Sequence, residues 1–265
     1  MFKILMICVY SPPFQDLVRE FYENGWETRE KTQELFLAVG NGLTSYAFDY
    51  VLSNTPAYSS GKPRAIYAGA VARGGFGMFR RQTLDLIEFA AEVPVIPFGL
   101  GASRDHERPD ELPADVYWDT LGDHDLTDSV VMVYDFGLST AGTVHGVVNA
   151  LRPRGLDNRN LIFLLGAACL EQSGKRLNEV ADGMHAVVGS EWRYRTQNPG
   201  MFYLDQMKAG NEWVAMNPQD WGDCVSRLET VGDIELFLSL IGETLQLSPQ
   251  DRALLFERYK SSLGN

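Results

Sequence analysis

The 265-residue chain has little of what several large protein classes require. It holds three cysteines, Cys8, Cys169 and Cys224, an odd number with no CxxC pair, so neither a disulfide framework nor a cysteine metal site is expected. Its four histidines, His106, His124, His145 and His185, are scattered, and no Ser/His/Asp or Cys/His arrangement offers a covalent nucleophile. Cations are scarce: 23 Lys and Arg against 35 Asp and Glu leave a net charge of −12. That balance argues against RNA or DNA as the main partner, because phosphate contacts along a polyanion need clustered Lys and Arg. A small phosphorylated ligand needs only one or two local cations and a set of backbone amides, and stays open. No apolar run is long enough to span a bilayer. The apolar start, Met1 to Val9, lacks the charged leader and small-residue cleavage site of a signal peptide and reads better as a buried strand. The expectation is a cytoplasmic protein with no membrane and no nucleic-acid partner.

What the chain does have is ordinary globular composition, 45% hydrophobic and 22% charged, enough for one large domain or a domain with an appendage. Helical spacing runs from about Asp16 to Leu52, through Leu17, Val18, Phe21, Leu35, Phe36, Val39, Leu43, Ala47 and Tyr50. Ser53 to Pro63 reads as a loop. Ala65 to Ala72 is an apolar strand running into the glycine cluster Arg73-Gly-Gly-Phe-Gly77, with a helix from about Phe79 to Ala91. Val93 to Phe98 is a second strand, and Gly99 to Asp115 is polar and turn-rich. Further strands are expected at Val130 to Val133, Leu161 to Gly166 and Ala186 to Val188, with helices at Thr140 to Leu151 and Leu170 to Val180. Strands alternating with helices predict an α/β fold with an open, mostly parallel sheet. Past Arg227 the pattern changes to two amphipathic helices, Leu228 to Gln246 and Pro249 to Leu263, with Ser248-Pro249 as N-cap and first helical residue. The expected division is residues 1–227 as the main domain and 228–265 as a C-terminal helical extension.

The most informative stretch is Val130-Val-Met-Val-Tyr-Asp135-Phe-Gly-Leu-Ser-Thr140-Ala-Gly-Thr143. An apolar strand leads to an acid, a short turn follows, and Thr-Ala-Gly-Thr opens a helix. Amides at a glycine-containing loop and a helix N-terminus point at one spot, where the helix dipole favours negative charge. Thr140 and Thr143 add hydroxyl donors, and Gly142 lets the backbone approach a phosphate with no Cβ in the way. Asp135 is placed to accept hydrogen bonds from the vicinal hydroxyls of a sugar. A Ser/Thr helix cap beside an incidental acid is the bland alternative for the same residues.

That stretch resembles the phosphoribosyl pyrophosphate (PRPP) loop of type I phosphoribosyltransferases, and within them the uracil phosphoribosyltransferase family, whose Asp-Pro-Met-Leu-Ala-Thr-Gly-Gly-Ser aligns without a gap on Asp135 to Thr143. Three more motifs follow the family's order. Its Arg-Ala-Gly-Leu-Gly-Met is similar to Arg73-Gly-Gly-Phe-Gly-Met78, and its Arg-Asp segment to Arg104-Asp105. Its Gly-Tyr-Ile-x-Pro-Gly-Leu-Gly-Asp-Ala-Gly-Asp base segment is similar to Glu212-Trp-Val-Ala-Met-Asn-Pro-Gln-Asp220-Trp-Gly-Asp223.

The resemblance spans about Ser11 to Arg227. It implies a type I phosphoribosyltransferase-like fold with a base-binding hood, and an enzyme that moves the phosphoribosyl group of PRPP to a nitrogenous base, uracil or a modified uracil-like heterocycle, releasing pyrophosphate. A catalytically inactive sensor of PRPP or a nucleotide on the same fold is the other reading. By the same resemblance Arg73 and Arg104 contact pyrophosphate, and Asp135, Phe136, Gly137, Leu138, Ser139, Thr140, Ala141, Gly142 and Thr143 form the PRPP loop. Val214, Gln219, Asp220 and Trp221 hold the base, and Asp220 also reaches PRPP. Mg²⁺ would arrive with PRPP, and a homo-oligomer, a dimer in the family, is implied.

Two departures stand out. Gln219 and Trp221 replace the family's Gly and Ala, which points to a heterocycle with an amide-like edge for Gln219 and a face for Trp221 rather than plain uracil. The Ser53 to Pro63 segment is shorter than the family's dimer-building arm.

Overall fold

The computed structural model describes residues 5–9, 11–24, 29–72, 74–103, 114–138, 141–169, 173, 177, 179–194, 204–209, 212–215, 238–239 and 241–263. Its centre is a seven-stranded sheet in the order β1-β7-β6-β5-β2-β3-β4, formed by β1 (Leu5–Cys8), β2 (Ile66–Val71), β3 (Val95–Ser103), β4 (Asp115–Asp119), β5 (Val130–Leu138), β6 (Leu161–Ala168) and β7 (His185–Val188). Every neighbouring pair is parallel except β3 with β4. The expected mostly parallel sheet flanked by helices is what the chain forms. Among the described residues no helix is long and apolar enough to cross a membrane.

The inner strands read as unbroken apolar runs because both faces are covered. Every residue of β2 and of β6 is buried. Along β5 the side chains alternate between two cores. Val130, Met132, Tyr134 and Phe136 join α1 (Pro12–Asn24), α2 (Arg29–Tyr50), α4 (Gly74–Met78) and α5 (Arg81–Ala90) on one face. Val131 and Val133 join α6 (Gly142–Leu151) on the other. Tyr134 is fully buried, and its hydroxyl lies 2.6 Å from that of Thr44 on α2. Burial pushes the Tyr134 phenol well above its ordinary pKa, while the Thr44 contact pulls the other way.

Several sequence expectations need correcting. The apolar start does form a strand, β1, which adds parallel to β7. Ser53 to Pro63 is not all loop: a 3₁₀ turn spans Leu52–Asn54 and a short helix, α3, spans Pro56–Ser59. The glycine cluster after β2 contains α4. Gly99 to Asp115 is not simply turn-rich, since β3 continues through it to Ser103 and β4 begins at Asp115. A strand of sequence Asp-Val-Tyr-Trp-Asp has too little alternation to show itself, and it exists because β3 offers an open edge. β5 also runs on to Leu138, so Asp135, Phe136 and Gly137 are strand rather than turn.

Residues 238–239 and 241–247 and α7 (Pro249–Leu263, the second expected C-terminal helix) pack Leu238, Ile241, Leu245, Leu247 and Leu255 into the same core as α2 and β2. Ser248 caps α7 as expected. The Asp251 backbone N–H donates to Ser248 Oγ at 3.1 Å, and Asp251 Oδ2 accepts from the Ser248 backbone N–H and hydroxyl at 3.1 and 2.6 Å.

Candidate functional site

β2 and β5 lie side by side and parallel, but their chains leave in opposite directions. β2 is followed by α4 and α5, which bury Phe76, Met78, Leu84 and Ile87 on the first face. β5 is followed by α6, which buries Val144, Val147 and Val148 on the second. The carboxyl ends of β2 and β5 therefore form a topological switch point, where the diverging connections leave a crevice that open α/β sheets use for ligands.

Asp135 stands at that crevice. Pairing of β5 with β2 stops at Tyr134, opposite Ala70, while pairing with β6 continues through Asp135↔Leu165 to Leu138↔Ala168. Asp135 is thus the first β5 residue past the last β2 rung, paired with Leu165 of β6 and half-buried. Phe136 turns the other way. It is buried with its ring centroid 4.5 Å from that of Phe36, in space left by the missing side chain of Gly166. Leu138 is buried in the second core, so the side chains of Phe136 and Leu138 serve packing and only their backbones can face a ligand. Gly137 is partly buried.

Ala141 is the residue before α6, with φ 64° and ψ 9°, the left-handed region that L residues other than Gly seldom enter. It is buried, as are Gly142 and Thr143. A left-handed residue leading into a right-handed helix turns successive N–H groups toward one point, a concavity suited to an anion. No acidic side chain occupies the first turn of α6. Ser139 and Thr140 lie outside the described residues.

The other candidates follow strands at the same edge. β2 ends two residues before Arg73 and β3 one residue before Arg104; both arginines lie outside the described residues. Gly75 of α4 presses so closely on β5 that an added Cβ would fall under 3.0 Å from the Tyr134 carbonyl oxygen.

Val214 lies on β10 (Glu212–Ala215) of a separate three-stranded antiparallel sheet in the order β10-β9-β8, with β8 at Trp192–Tyr194 and β9 at Leu204–Ala209. Sequence reading missed this sheet, whose strands are short and flanked by polar residues. It attaches to the end of β6: the Ala168 N–H donates to Ser190 O at 2.9 Å, and the Lys208 N–H to Glu191 O at 2.9 Å. On one face Arg193 lies 3.9 Å over the Trp213 ring, and Lys208 Nζ is 3.0 Å from Glu191 Oε2. Gln219, Asp220 and Trp221 lie outside the described residues. Among the described residues no group of three or more His, Cys, Asp or Glu gathers to hold a metal ion.

No protein-family model matches the sequence, and no curated protein does either. Solved structures with a similar arrangement include a Trypanosoma cruzi hypoxanthine phosphoribosyltransferase in complex with its product IMP, at 16% identity and TM-score 0.42, covering 71% of this chain and 92% of that one. A Bacillus anthracis hypoxanthine-guanine phosphoribosyltransferase matches at 15% identity and TM-score 0.40, over 60% of this chain and 80% of that one. A Giardia lamblia APRTase complexed with 9-deazaadenine matches at 10% identity and TM-score 0.34, over 64% of this chain and 84% of that one. The likeness is one of strand and helix arrangement.

Proposed function

We propose that the crevice between β2 and β5 binds PRPP and that the chain transfers its phosphoribosyl group to a nitrogenous heterocycle, releasing pyrophosphate. The observation that carries this reading is the β5–α6 connection. It has a half-buried carboxylate past the last β2 rung, then a left-handed residue, then the N-terminus of a helix with no acid in its first turn, all at a topological switch point. A carboxylate six residues before an anion cradle suits a ligand with a phosphate at one end and vicinal hydroxyls next to it. Asp135 accepts from the ribose hydroxyls, and the amides at Ala141 to Thr143, with Thr140, take the 5′-phosphate.

Cleavage of the bond between ribose C1 and pyrophosphate builds positive charge on the ring and negative charge on the leaving group. Arg73 and Arg104, which lie within two residues of the ends of β2 and β3 in sequence, are the cations assigned to the leaving group. Asp135 fixes the ring, so that a base nitrogen presented from the β8–β10 side, by Val214 and the Gln219, Asp220 and Trp221 segment, meets C1 in line. Rate then comes from positioning and electrostatic stabilisation rather than a covalent nucleophile. Asp135, the carboxylate at this crevice among the described residues, fits Mg²⁺ that would arrive on the diphosphate with its waters, and the ion would supply charge neutralisation there. With Gln219 and Trp221 in place of small residues, the preferred base is a planar heterocycle with an amide-like edge other than uracil. The working assembly is a homodimer, and the chain acts in the cytoplasm.

The test is incubation with PRPP, Mg²⁺ and a panel of pyrimidines, imidazolones and purines, with pyrophosphate release and nucleoside monophosphate mass as readouts. Saturable PRPP binding without release on any base would make the protein a ligand sensor. Absence of PRPP binding would overturn the reading.

A further inference from the structure

Trp118 sits outside the crevice and meets its α4 wall, while the chain that leads into its strand meets the α6 wall. It is buried on β4, where a register shift against β3 pairs Gly101 with Trp118 and Ala102 with Val116. Tyr117 is the extra residue of that β-bulge, so both aromatics reach the first core and the C-terminal helix. The Trp118 ring meets the α4 wall edge-on at Phe76, centroids 6.5 Å apart. It lies beside Gly99, where an added Cβ would come within 2.6 Å of the indole.

The strand that carries it begins beside Ala114, which braces the α6 wall at its first turns. The Ala114 N–H donates to Gly142 O at 3.0 Å, and α6 comes so near at Gly146 that an added Cβ would fall under 3.0 Å from Ala114 O. From behind, α7 grips β4 twice: the Trp118 indole N–H donates to Asp251 Oδ1 at 2.8 Å, and the Arg258 guanidinium lies 4.2 Å from the Tyr117 ring centroid.

We propose that Trp118, anchored by Asp251, is a positioning residue that sets the spacing of the α4 and α6 walls, and that the C-terminal helix thereby acts on an anion site it does not touch. This rests on the crevice being the anion site. The physical basis is that Ala114 leads directly into the short edge strand that carries Trp118, which has no second strand partner among the described residues and is held from the other side by α7. Letting β4 drift frees the first turn of α6, whose amides must stay converged to hold a phosphate.

The test uses the full chain with Trp118→Phe, which deletes the indole donor, and Asp251→Ala, which deletes the acceptor. Asp251→Asn keeps an acceptor oxygen and is the rescue. Amide hydrogen exchange is followed at Ala114 to Asp119 and at Gly142 to Gly146, and ribose 5-phosphate binding is titrated calorimetrically. Both disruptive variants should speed exchange in β4 and in the first turns of α6 by about tenfold, and weaken ribose 5-phosphate binding about fivefold to tenfold. Asp251→Asn should stay near wild type. Faster exchange in β4 with unchanged exchange in α6 would overturn the coupling, as would α6 loosening by the same factor as β6 and β7, which would mean general destabilisation. Failure of the wild type to bind ribose 5-phosphate would count against the PRPP reading, and the exchange result would still decide the coupling.

Discussion

The contact between Gly75 and Tyr134 is a close approach in the crevice wall that a single substitution can probe. In Gly75→Ala the new Cβ would lie under 3.0 Å from the Tyr134 carbonyl oxygen, 2.9 Å from its carbonyl carbon and 3.2 Å from Ala70 Cβ, where ordinary contact begins at 3.4 Å. Something must move by more than an ångström. β5 cannot yield at this point: Tyr134 is paired with Ala70 on one side and Leu164 on the other, its ring centroid is 4.9 Å from that of Phe79, and its hydroxyl meets Thr44.

So α4 lifts, and the Phe76, Met78 and Phe79 packing lifts with it. Overpacking of this kind costs about 1–3 kcal/mol, and Ala's better helix propensity returns up to about 1 kcal/mol. The net expectation is a loss of about 1–2 kcal/mol, or roughly 2–8 °C in Tm for a chain of this size. Because α4 directly follows Arg73, PRPP affinity should fall further than stability does. Urea denaturation and calorimetric titration of the same variant check both parts. Wild-type stability and affinity in Gly75→Ala would refute the reasoning, because the close approach would then be absent in solution.

Four other outcomes are expected. Asp135→Asn and Thr140→Ala should each weaken PRPP binding, Asp135→Asn by about 1.5–3 kcal/mol as a charge-assisted hydrogen bond is lost; calorimetry on folded variants decides it, and unchanged affinity removes the loop assignment. Ala141→Gly should change stability by less than about 1 kcal/mol, since relief of left-handed strain of about 1–2 kcal/mol is offset by a lost buried methyl and glycine's greater chain entropy. Ala141→Val, β-branched at φ 64°, should cost at least about 2 kcal/mol in the same denaturation assay. At Asp251 burial pushes the carboxyl up, but the hydrogen bonds from Ser248 and Trp118 outweigh it and hold its pKa below the ordinary value. Its contribution is therefore full above the unfolded carboxylate pKa of about 4 and is lost as pH falls through the lower folded value; Asp251→Asn should flatten that part of the acid limb in a pH series of denaturation curves.

How much of this was legible in the sequence follows from the range of the forces involved. Hydrophobic runs and their interruptions are local, so the buried strands β2, β5 and β6 and the cap at Ser248-Pro249 could be read directly, as could the pairing of an acid with a Thr-Ala-Gly-Thr helix start. β4 and the three-stranded sheet could not, because short polar strands are stabilised by the edge they join rather than by their own pattern. The extent of β5 was misread for the same reason: Asp135 to Leu138 stay extended because β6 continues beside them, although β2 has already left. That difference between two neighbours makes Asp135 a crevice residue. It belongs to the sheet order, which no window of sequence contains.

The sequence by itself determined the α/β class, the net charge of −12 and which residues join β5 to the start of α6. Tertiary structure alone decided that α5 and α6 leave adjacent strands on opposite faces, that Phe136 points into the core while Asp135 does not, and that the C-terminal helix holds β4 through Trp118 and Asp251. The reason is that a side chain's direction follows from its rung in the sheet, and a crevice exists only where two chain paths diverge, both of which are set by contacts between residues far apart in the chain.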